Sequence, residues 1–440
     1  MIKDSISRMY VDRRKALFSK ISDGAFLIPS AVEHFRASSV PLDFRQNPNL
    51  YYLSGFEEPE SFLILLPDST KKDGYESILF CRPRNATAEL WDGERYGIER
   101  AKKIFGMDQC FDISELAERL PSIIKAQSKI YYTLGLDEAL DRKITTILLQ
   151  VQSMSGRSGQ GLLQIEDPKV AIGEMRLIKS EEEIVLLKKA GAISSHAHIE
   201  AMKNTKPGQY EYQVQALIEY HFKDGGCRRP AYNSIVAGGN NATCLHYGSN
   251  RDQLVDGQLL LIDAGGEFEY YHADITRTFP IGKKYTQGQR EVYEAVLKAQ
   301  KECIAMIKPG IPYASIHEHA SKVLIEELCR LGLLSGDIDH IYDQKAHLTY
   351  YPHGTGHFLG MDTHDVGLYS HEGSSKLLEP GMVFTIEPGL YIREDNTDAP
   401  EKYRGVGVRI EDDILVTKNG CELLSQVPKE IEEIESLRNQ

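Results

Sequence analysis

Two aspartates stand at the ends of apolar runs, where a carboxylate has a chemical use. Asp263 follows the run 259–262, and Asp274 precedes the β-prone run 275–279. The pattern predicts two strands joined by a reversal, with the two aspartates facing each other across the pair. A carboxylate beside an apolar strand is costly unless it is paired or binds a cation. The alternative is that both aspartates only cap turns, a position that Asp favours.

Three histidines follow in a glycine-rich segment, 352–365. His353 and His357 are four residues apart, the spacing of a helical zinc pair, but the proline and glycines around them predict a loop or strand edge instead. His364 lies a few residues further on. A hydrogen-bonded structural role is the alternative for any one of these histidines, and their clustering favours a functional one.

Two more acids accompany strand-like runs near the C-terminus. Glu387 follows the apolar run 382–386. The segment 406–413 alternates as a strand does, which places Arg409 and Glu411 on one face. Each acid taken alone can simply lie at the end of a surface strand. The functional hypothesis therefore depends on the whole set of acids.

Together these acids and one histidine have the chemistry of a metal centre. Carboxylate oxygens with an imidazole suit Mn²⁺, Co²⁺ or Zn²⁺. Two such ions roughly 3.5–4 Å apart can share a water, lower its pKa and deliver hydroxide to a carbonyl group. Without metal, the carboxylates would repel one another, which raises some of their pKa values and lowers stability. The proposed ligands are Asp263, Asp274, His357, Glu387 and Glu411.

Composition limits the class of protein that carries this centre. The chain has 440 residues, of which 41% are hydrophobic and 26% charged, as expected for two or three globular domains. A net charge of −13 without a long basic block argues against nucleic-acid or anionic-membrane partners. We find no apolar run of about 18 residues and no signal-peptide core. Seven scattered cysteines without a CxxC pair predict a cytoplasmic protein.

Residues 1–173 are predicted to form one α/β domain, because β-prone and helical segments alternate. We find no phosphate-binding glycine loop in this half. Predicted helices lie at 8–21, 101–105 and 114–125, and predicted strands at 25–28, 51–53, 61–66, 77–80 and 129–133.

The second domain, 174–440, is predicted to begin with a long helix. Ser180 and Glu183 fit a capping box, and apolar residues follow at helical spacing. Further helices are predicted at 211–222, 289–307 and 315–331, among β-prone runs and glycine turns.

The only tryptophan, Trp91, lies in the first half within the segment 89–93. Trp is usually mostly buried, which favours a core anchor. The alternative is an interface residue, because Trp is enriched at contacts between proteins.

Long ordered motifs resemble those of one family over nearly the whole chain. They are FRQNPNLYYLSGFEEPES, AELWDGERYG, EMRLIKSEEEI, LLLIDAGGE…HADITRTFP, HGTGHFLGMDTHD, FTIEPGLYI and GVRIEDD. They are similar to the motifs of the Xaa-Pro aminopeptidases (aminopeptidase P, bacterial type) of the pita-bread metallopeptidase superfamily. The resemblance implies an α+β protein, with a creatinase-like α/β N-terminal domain followed by a pita-bread catalytic domain.

The resemblance also implies a dinuclear site, most often manganese. Asp263 would bind one metal ion, His357 and Glu387 the other, and Asp274 and Glu411 both. Glu387 would in addition transfer a proton.

Other matched residues would act on the substrate. His246 would stabilise the reacting centre, His353 and His364 would line the pocket, and Arg409 would lie beside the metals. Trp91 matches a tryptophan that a neighbouring subunit contributes in tetrameric bacterial members, which implies a homo-oligomer, a dimer or tetramer.

The implied activity is release of the first residue from peptides with proline second, by attack of a metal-bridging hydroxide on the Xaa-Pro carbonyl. The Xaa-Pro bond is a tertiary amide without an N–H, and the leaving amine must be protonated. A prolidase, restricted to Xaa-Pro dipeptides, is the near alternative. Methionine aminopeptidases share the catalytic fold but typically lack the long first domain. A metal-free hydrolase or binding protein on this fold is the remaining alternative.

Overall fold

The computed structural model describes residues 2–155 and 164–439, and the chain divides into two units between Met175 and Arg176. The first unit contains a helix-covered sheet. Its helices are α1 (Ile2–Lys20), α2 (Pro48–Ser54), α3 (Ala86–Asp92), α4 (Ile98–Ile104), α5 (Leu116–Ile124), α6 (Glu138–Ser155) and α7 (Lys169–Leu177), the last of which crosses the division. Its strands are β1 (Ala25–Pro29), β2 (Phe35–Ala37), β3 (Val40–Pro41), β4 (Phe62–Pro67), β5 (Tyr75–Cys81), β6 (Gln109–Asp112), β7 (Lys129–Tyr131) and β8 (Gln164–Glu166).

Six of these strands form one sheet in the order β6-β5-β4-β1-β7-β8. Strand β4 runs antiparallel to both neighbours, and the other pairs are parallel. Apolar side chains of the sheet, such as Ile64 and Phe80, pack against Leu120 of α5 and Ile144 of α6. The alternation of strands and helices therefore produces a covered sheet, as the sequence predicts.

One predicted strand in this unit is wrong. Residues 51–53 lie in helix α2, although their apolar and aromatic side chains are typical of strands. The flanking residues decide the conformation. The side chain of Asn47 accepts the backbone N–H of Asn49, Pro48 occupies the first turn, and Gly55 ends the helix with φ of 72°.

The second unit packs helices and several short sheets around one large core. Its helices are α8 (Glu181–Asn204), α9 (Glu211–Asp224), α10 (Gln287–Met306), α11 (Tyr313–Arg330), α12 (Ile338–Asp343) and α13 (Ile431–Arg438). Its strands are β9 (Arg229–Pro230), β10 (Ile235–Gly238), β11 (Leu259–Asp263), β12 (Gly266–Phe268), β13 (Tyr271–His272), β14 (Thr276–Pro280), β15 (Ser370–His371), β16 (Ser374–Ser375), β17 (Val383–Ile386), β18 (Gly389–Ile392), β19 (Val406–Arg409), β20 (Asp412–Val416) and β21 (Cys421–Leu423).

Helix α8 begins with the predicted capping box, in which Ser180 and Glu183 bond each other's backbone N–H groups. The apolar faces of α8, α9 and α10 pack on β11, β14 and β19, with side chains such as Ile218, Leu260, Val296 and Val408 in one buried cluster. This cluster supports the strands next to Asp263, Asp274 and Glu411, whereas β17, which Glu387 follows, packs in a second cluster through Phe384 and Ile386.

The reversal predicted after Asp263 is present, but its register differs from the prediction. Strands β11 and β14 pair antiparallel in the order β10-β11-β14, and Asp263 lies opposite Thr276 rather than Asp274. The difference arises because residues 266–272 fold as a separate hairpin that pairs with β9. Asp274 therefore lies just before its strand.

Two further observations concern the whole described chain. Within residues 2–155 and 164–439, no helix combines the length and the apolar character needed to cross a bilayer. The seven cysteines all lie in these ranges, and each is a free thiol.

Candidate metal centre

A single cavity of about 630 Å³ in the second unit collects the residues with candidate chemistry. Its wall includes all five proposed metal ligands and four further candidates. They are Asp263, Asp274, His357, Glu387 and Glu411, with His246, His353, His364 and Arg409. Residues separated by more than a hundred positions in the sequence thus meet at one place.

Strand ends place the acids around this cavity. Asp263 is the last residue of β11, and Glu387 follows β17 directly. The strand predicted over 406–413 is in fact two strands, because β19 pairs with β18 while β20 pairs with β17. Glu411 lies in the break, where its backbone N–H donates to Thr276. This change of partner turns the Glu411 side chain into the cavity wall.

His357 is oriented as a metal-binding histidine would be. Its Nδ1 lies 3.1 Å from the carbonyl oxygen of Phe358, so it can donate there and leave Nε2 free of its proton. Nε2 lies 3.4 Å from Asp274 Oδ2 and 3.6 Å from Glu387 Oε1. Ligand atoms of His357, Asp274 and Glu411 all lie within 4.8 Å of one another. One cation can therefore contact all three.

The hydrogen bonds of the carboxylates also fit cations. Asp263 Oδ2 accepts Arg409 Nη2 at 2.5 Å, whereas its buried Oδ1 has no hydrogen-bond partner among the described residues. Such an oxygen is costly in a protein interior unless a cation completes it. Asp274 Oδ1 accepts the Tyr232 hydroxyl at 2.5 Å, and Glu411 Oε2 accepts the Thr276 hydroxyl at 2.7 Å. The donor set consists of hard oxygens and one imidazole, which suits divalent ions.

Without metal, the buried acids raise one another's pKa values. Burial raises the pKa of Glu411 well above its ordinary value, and the charges of Asp274 and Glu387 add to the effect. Burial also raises the pKa of Glu387 to about 7, against the opposing influence of His357. The pKa of Asp263 is raised for the same reason, although Arg409 opposes the shift. In each of these acids, burial makes the charged form less favourable than it is in water, and bound cations would reverse that effect.

His357 and Asp274 shift in the opposite sense because they form a pair. Burial acts to lower the pKa of His357, but the hydrogen bond and charge of Asp274 outweigh it and raise that pKa to about 9. Burial likewise acts to raise the pKa of Asp274, and the bond from His357 outweighs it, so its pKa is lowered. At neutral pH without metal, His357 therefore carries a proton that a metal ion must displace.

Metal loading at pH 7 is expected to release more than one proton per chain. His357, with a pKa of about 9, is protonated at this pH, and Glu387, with a pKa of about 7, is partly protonated; the raised pKa of Glu411 adds to the protons that coordination removes. Calorimetric titration with Mn²⁺ in two buffers of different ionisation enthalpy measures the number. A binding enthalpy independent of the buffer would contradict this electrostatic picture.

Two tyrosines that the sequence did not single out contact this set. Tyr391 lies 2.8 Å from His353 Nε2 and accepts Arg409 Nη1 at 3.0 Å. Burial lowers the pKa of His353 to about 3, so the ring is neutral and its Nε2 can accept a hydrogen bond from the Tyr391 hydroxyl. Tyr232 is the partner of Asp274 noted above. Tyr391 lies within the FTIEPGLYI motif and could have been found there, whereas Tyr232 has no sequence signal.

Buried ion pairs hold the loop that carries His364. Asp365 accepts Arg176 Nη2 at 2.5 Å and Lys179 Nζ at 3.1 Å, and all three side chains are almost fully buried. The rings of His364 and His357 then lie 4.4 Å apart. Burial lowers the pKa of His364, so this ring also tends to be neutral.

Trp91 is not a core anchor, and that prediction is wrong. It lies on helix α3 of the first unit with its side chain 82% exposed, beside Leu90 at 81%. No residue of helix α3 is buried, and its large apolar side chains, Leu90 and Trp91, point into the solvent.

Known proteins resemble this chain along nearly its whole length. The model of metallopeptidase family M24 matches residues 185–418, and that of the aminopeptidase P N-terminal domain matches residues 10–131. The Xaa-Pro aminopeptidase of Haemophilus influenzae is 41% identical, covering 98% of this chain and 97% of the relative. That of Escherichia coli is 40% identical over 97% and 96%.

Solved structures agree with this picture. The structure of the aminopeptidase PepP from Pseudomonas aeruginosa matches with a TM-score of 0.94 at 41% identity, over 98% of both chains. Zinc-substituted E. coli aminopeptidase P in complex with product matches with a TM-score of 0.94 at 39% identity, also over 98% of both chains. The chain therefore belongs to metallopeptidase family M24, as a metallo-aminopeptidase with the aminopeptidase P N-terminal domain ahead of its pita-bread domain.

Proposed function

We propose that the protein releases the first residue from peptides whose second residue is proline. The observation that carries this proposal is the convergence of four carboxylates and His357 on one cavity. Relatives named Xaa-Pro aminopeptidase, 40–41% identical over almost the full length, support the substrate class. Membership of family M24 supports the metal dependence.

We further propose that the site holds two divalent ions, most often Mn²⁺, with Co²⁺ or Zn²⁺ as alternatives. Asp263 would hold one ion, His357 and Glu387 the other, and Asp274 and Glu411 both. When bound, such ions lower the pKa of a water molecule and polarise a carbonyl group. The four carboxylates match the four positive charges of the pair.

The protein's own side chains would bind and orient the substrate around this centre. His246 and His364 line the cavity, where their N–H groups can donate to the carbonyl oxygen of the scissile bond. Glu387 lies 4.0 Å from His353 Nδ1 and 3.6 Å from His357 Nε2, a central position for carrying a proton to the leaving proline nitrogen. Arg409 holds Asp263 in place.

A turnover comparison of Xaa-Pro, Xaa-Pro-Yaa and Xaa-Ala-Yaa peptides tests the proposal. We expect the Mn²⁺-loaded protein to cleave Xaa-Pro-Yaa at its first bond and to leave the alanine peptide nearly intact. Marked preference for the dipeptide would identify a prolidase instead. Failure of the protein to retain divalent ions after loading would favour a metal-free hydrolase or binding protein.

The assembly and the location stay predictions. A homo-oligomer, dimer or tetramer, would give the exposed Trp91 and Leu90 a surface to contact and would allow Trp91 to reach a neighbour's substrate. The cytoplasm is proposed from the scattered cysteines alone.

A further inference from the structure

His246 reaches the cavity on a loop, and no strand residue that the structure describes forms a hydrogen bond with it. The His246 loop, residues 239–252, follows β10 and contributes Leu245, His246, Tyr247 and Gly248 to the cavity wall. His246 is exposed, so packing does little to fix its position. Its location therefore depends on how the rest of the loop is held.

A buried carboxylate outside the cavity wall holds this loop. Glu211, the first residue of α9, is 0% exposed, and its Oε1 accepts the Gly238 N–H at 2.8 Å and Asn241 Nδ2 at 3.0 Å. Its Oε2 accepts the Tyr247 hydroxyl at 2.7 Å and the Asp252 N–H at 2.9 Å. Gly238 lies just before the loop, and the other three donors lie near its start, in its middle and at its end, at residues 241, 247 and 252.

All four donors are neutral groups, which makes the arrangement unusual for a buried charge. A carboxylate in a protein interior is costly, and complete hydrogen bonding is what makes it tolerable. Because both oxygens are needed to satisfy the four donors, a change in either one alters the loop at several points. One donor, Tyr247, is the residue next to His246.

Asn250 provides a second attachment at the end of the loop. Its Nδ2 donates to the Ser234 carbonyl at 2.7 Å and to Gln215 at 2.9 Å, and its Oδ1 accepts the Val236 N–H at 3.0 Å. The stretch between the two attachments, from Tyr247 to Asn250, is short. The bonds from Asn241 and Tyr247 to Glu211 lie on either side of His246 in the chain and are the nearest restraints on its position.

We propose that Glu211 is a positioning residue that sets the place of His246 in the cavity through the bonds to Tyr247, Asn241 and Asp252. The inference rests on the proposed function, because it assigns His246 a task in peptide cleavage. Glu211 touches neither substrate nor metal ligands and acts only through the loop.

Glu211→Gln tests the proposal with almost no change in volume. The amide keeps one oxygen for Gly238 and Asn241, but its NH₂ group faces the N–H of Asp252, which cannot reverse. We expect kcat/KM for an Xaa-Pro-Yaa peptide to fall about tenfold with metal content unchanged. In a His246→Ala background the same substitution should change kcat/KM by less than about twofold, because coupled residues are not additive.

Glu183→Gln is the matched control. Glu183 is also a buried glutamate in the first turn of a helix, and it accepts a tyrosine hydroxyl, that of Tyr271, at 2.9 Å and a backbone N–H, that of Ser180, at 3.0 Å. Any effect of this control on kcat/KM should be the same with and without His246. Equal losses for Glu211→Gln in both backgrounds would overturn the proposal.

Hydrogen exchange gives a readout that does not depend on activity. We expect Glu211→Gln to speed amide exchange within 239–252, and Glu183→Gln to leave exchange there unchanged. Unchanged exchange in the Glu211 variant would refute the anchoring. If that variant does not fold, Tyr247→Phe removes one of the four donors to Glu211, together with one acceptor of Asn241 Nδ2, and should produce a smaller effect of the same pattern. A wild-type protein that cleaves no Xaa-Pro peptide would instead contradict the proposed function, and exchange would still decide the role of Glu211.

Discussion

Glu411→Gln is expected to reduce kcat/KM more than about 100-fold, because even residues that only orient metal ligands cost 10–100-fold. The Glu411 carboxylate lies within 4.8 Å of Asp274 and His357 ligand atoms, where one side chain can serve both proposed ions. An amide is neutral and offers only one oxygen to them. The measurements are steady-state kinetics with Mn²⁺ and metal content per chain.

In the metal-free protein, the same substitution is not expected to lower thermal stability. Burial and neighbouring acids raise the pKa of Glu411, so its ionised form is unfavourable without bound cations. We expect the metal-free variant to unfold at the same temperature as the metal-free wild type or higher. Glu379→Gln, at an exposed position, is the control and should change neither quantity. Full activity and full metal content in Glu411→Gln would disprove the bridging assignment.

Arg277→Met is expected to lower the free energy of unfolding by about 3–5 kcal/mol, as breaking a buried ion pair does. Arg277 is fully buried, and its Nη2 contacts Asp412 Oδ1 at 2.6 Å. Its Nη1 donates to the carbonyl oxygens of Glu411 at 2.6 Å and of Thr276 at 2.9 Å. Methionine keeps much of the volume, but it removes the buried positive charge beside Asp412 and the side-chain donor to the Glu411 carbonyl oxygen.

Urea denaturation at a fixed Mn²⁺ concentration measures this loss, since bound ligand alters apparent stability. Arg393→Met is the comparison, because Arg393 pairs with Asp395 at the surface at 3.0 Å, and we expect it to change the free energy of unfolding far less than Arg277→Met. A similar small cost for both variants would show that the Arg277 network adds little. Because Arg277 bonds the Glu411 carbonyl, a weaker affinity for Mn²⁺ is expected as well.

The elements that formed as the sequence predicts are those whose conformation a local rule decides. The capping box at Ser180 and Glu183, the apolar strand before Glu387 and the glycine-rich loop around His357 all formed as predicted. The elements that differ from the prediction are those where competing local signals or distant partners decide. Residues 51–53 follow their caps into a helix. The alternating segment 406–413 divides because its two halves pair with different strands.

The types of residue around the centre were determined by the sequence alone: acids at the ends of apolar runs, a histidine in a loop, and enough carboxylates for two dications. Only the tertiary structure decided that Asp263 lies opposite Thr276, that Tyr232 and Tyr391 join the set, and that Glu211 holds the His246 loop. The reason is physical. Burial and short-range patterns follow from the types of neighbouring residues. Hydrogen bonds between distant segments depend instead on register and on where strands change partner.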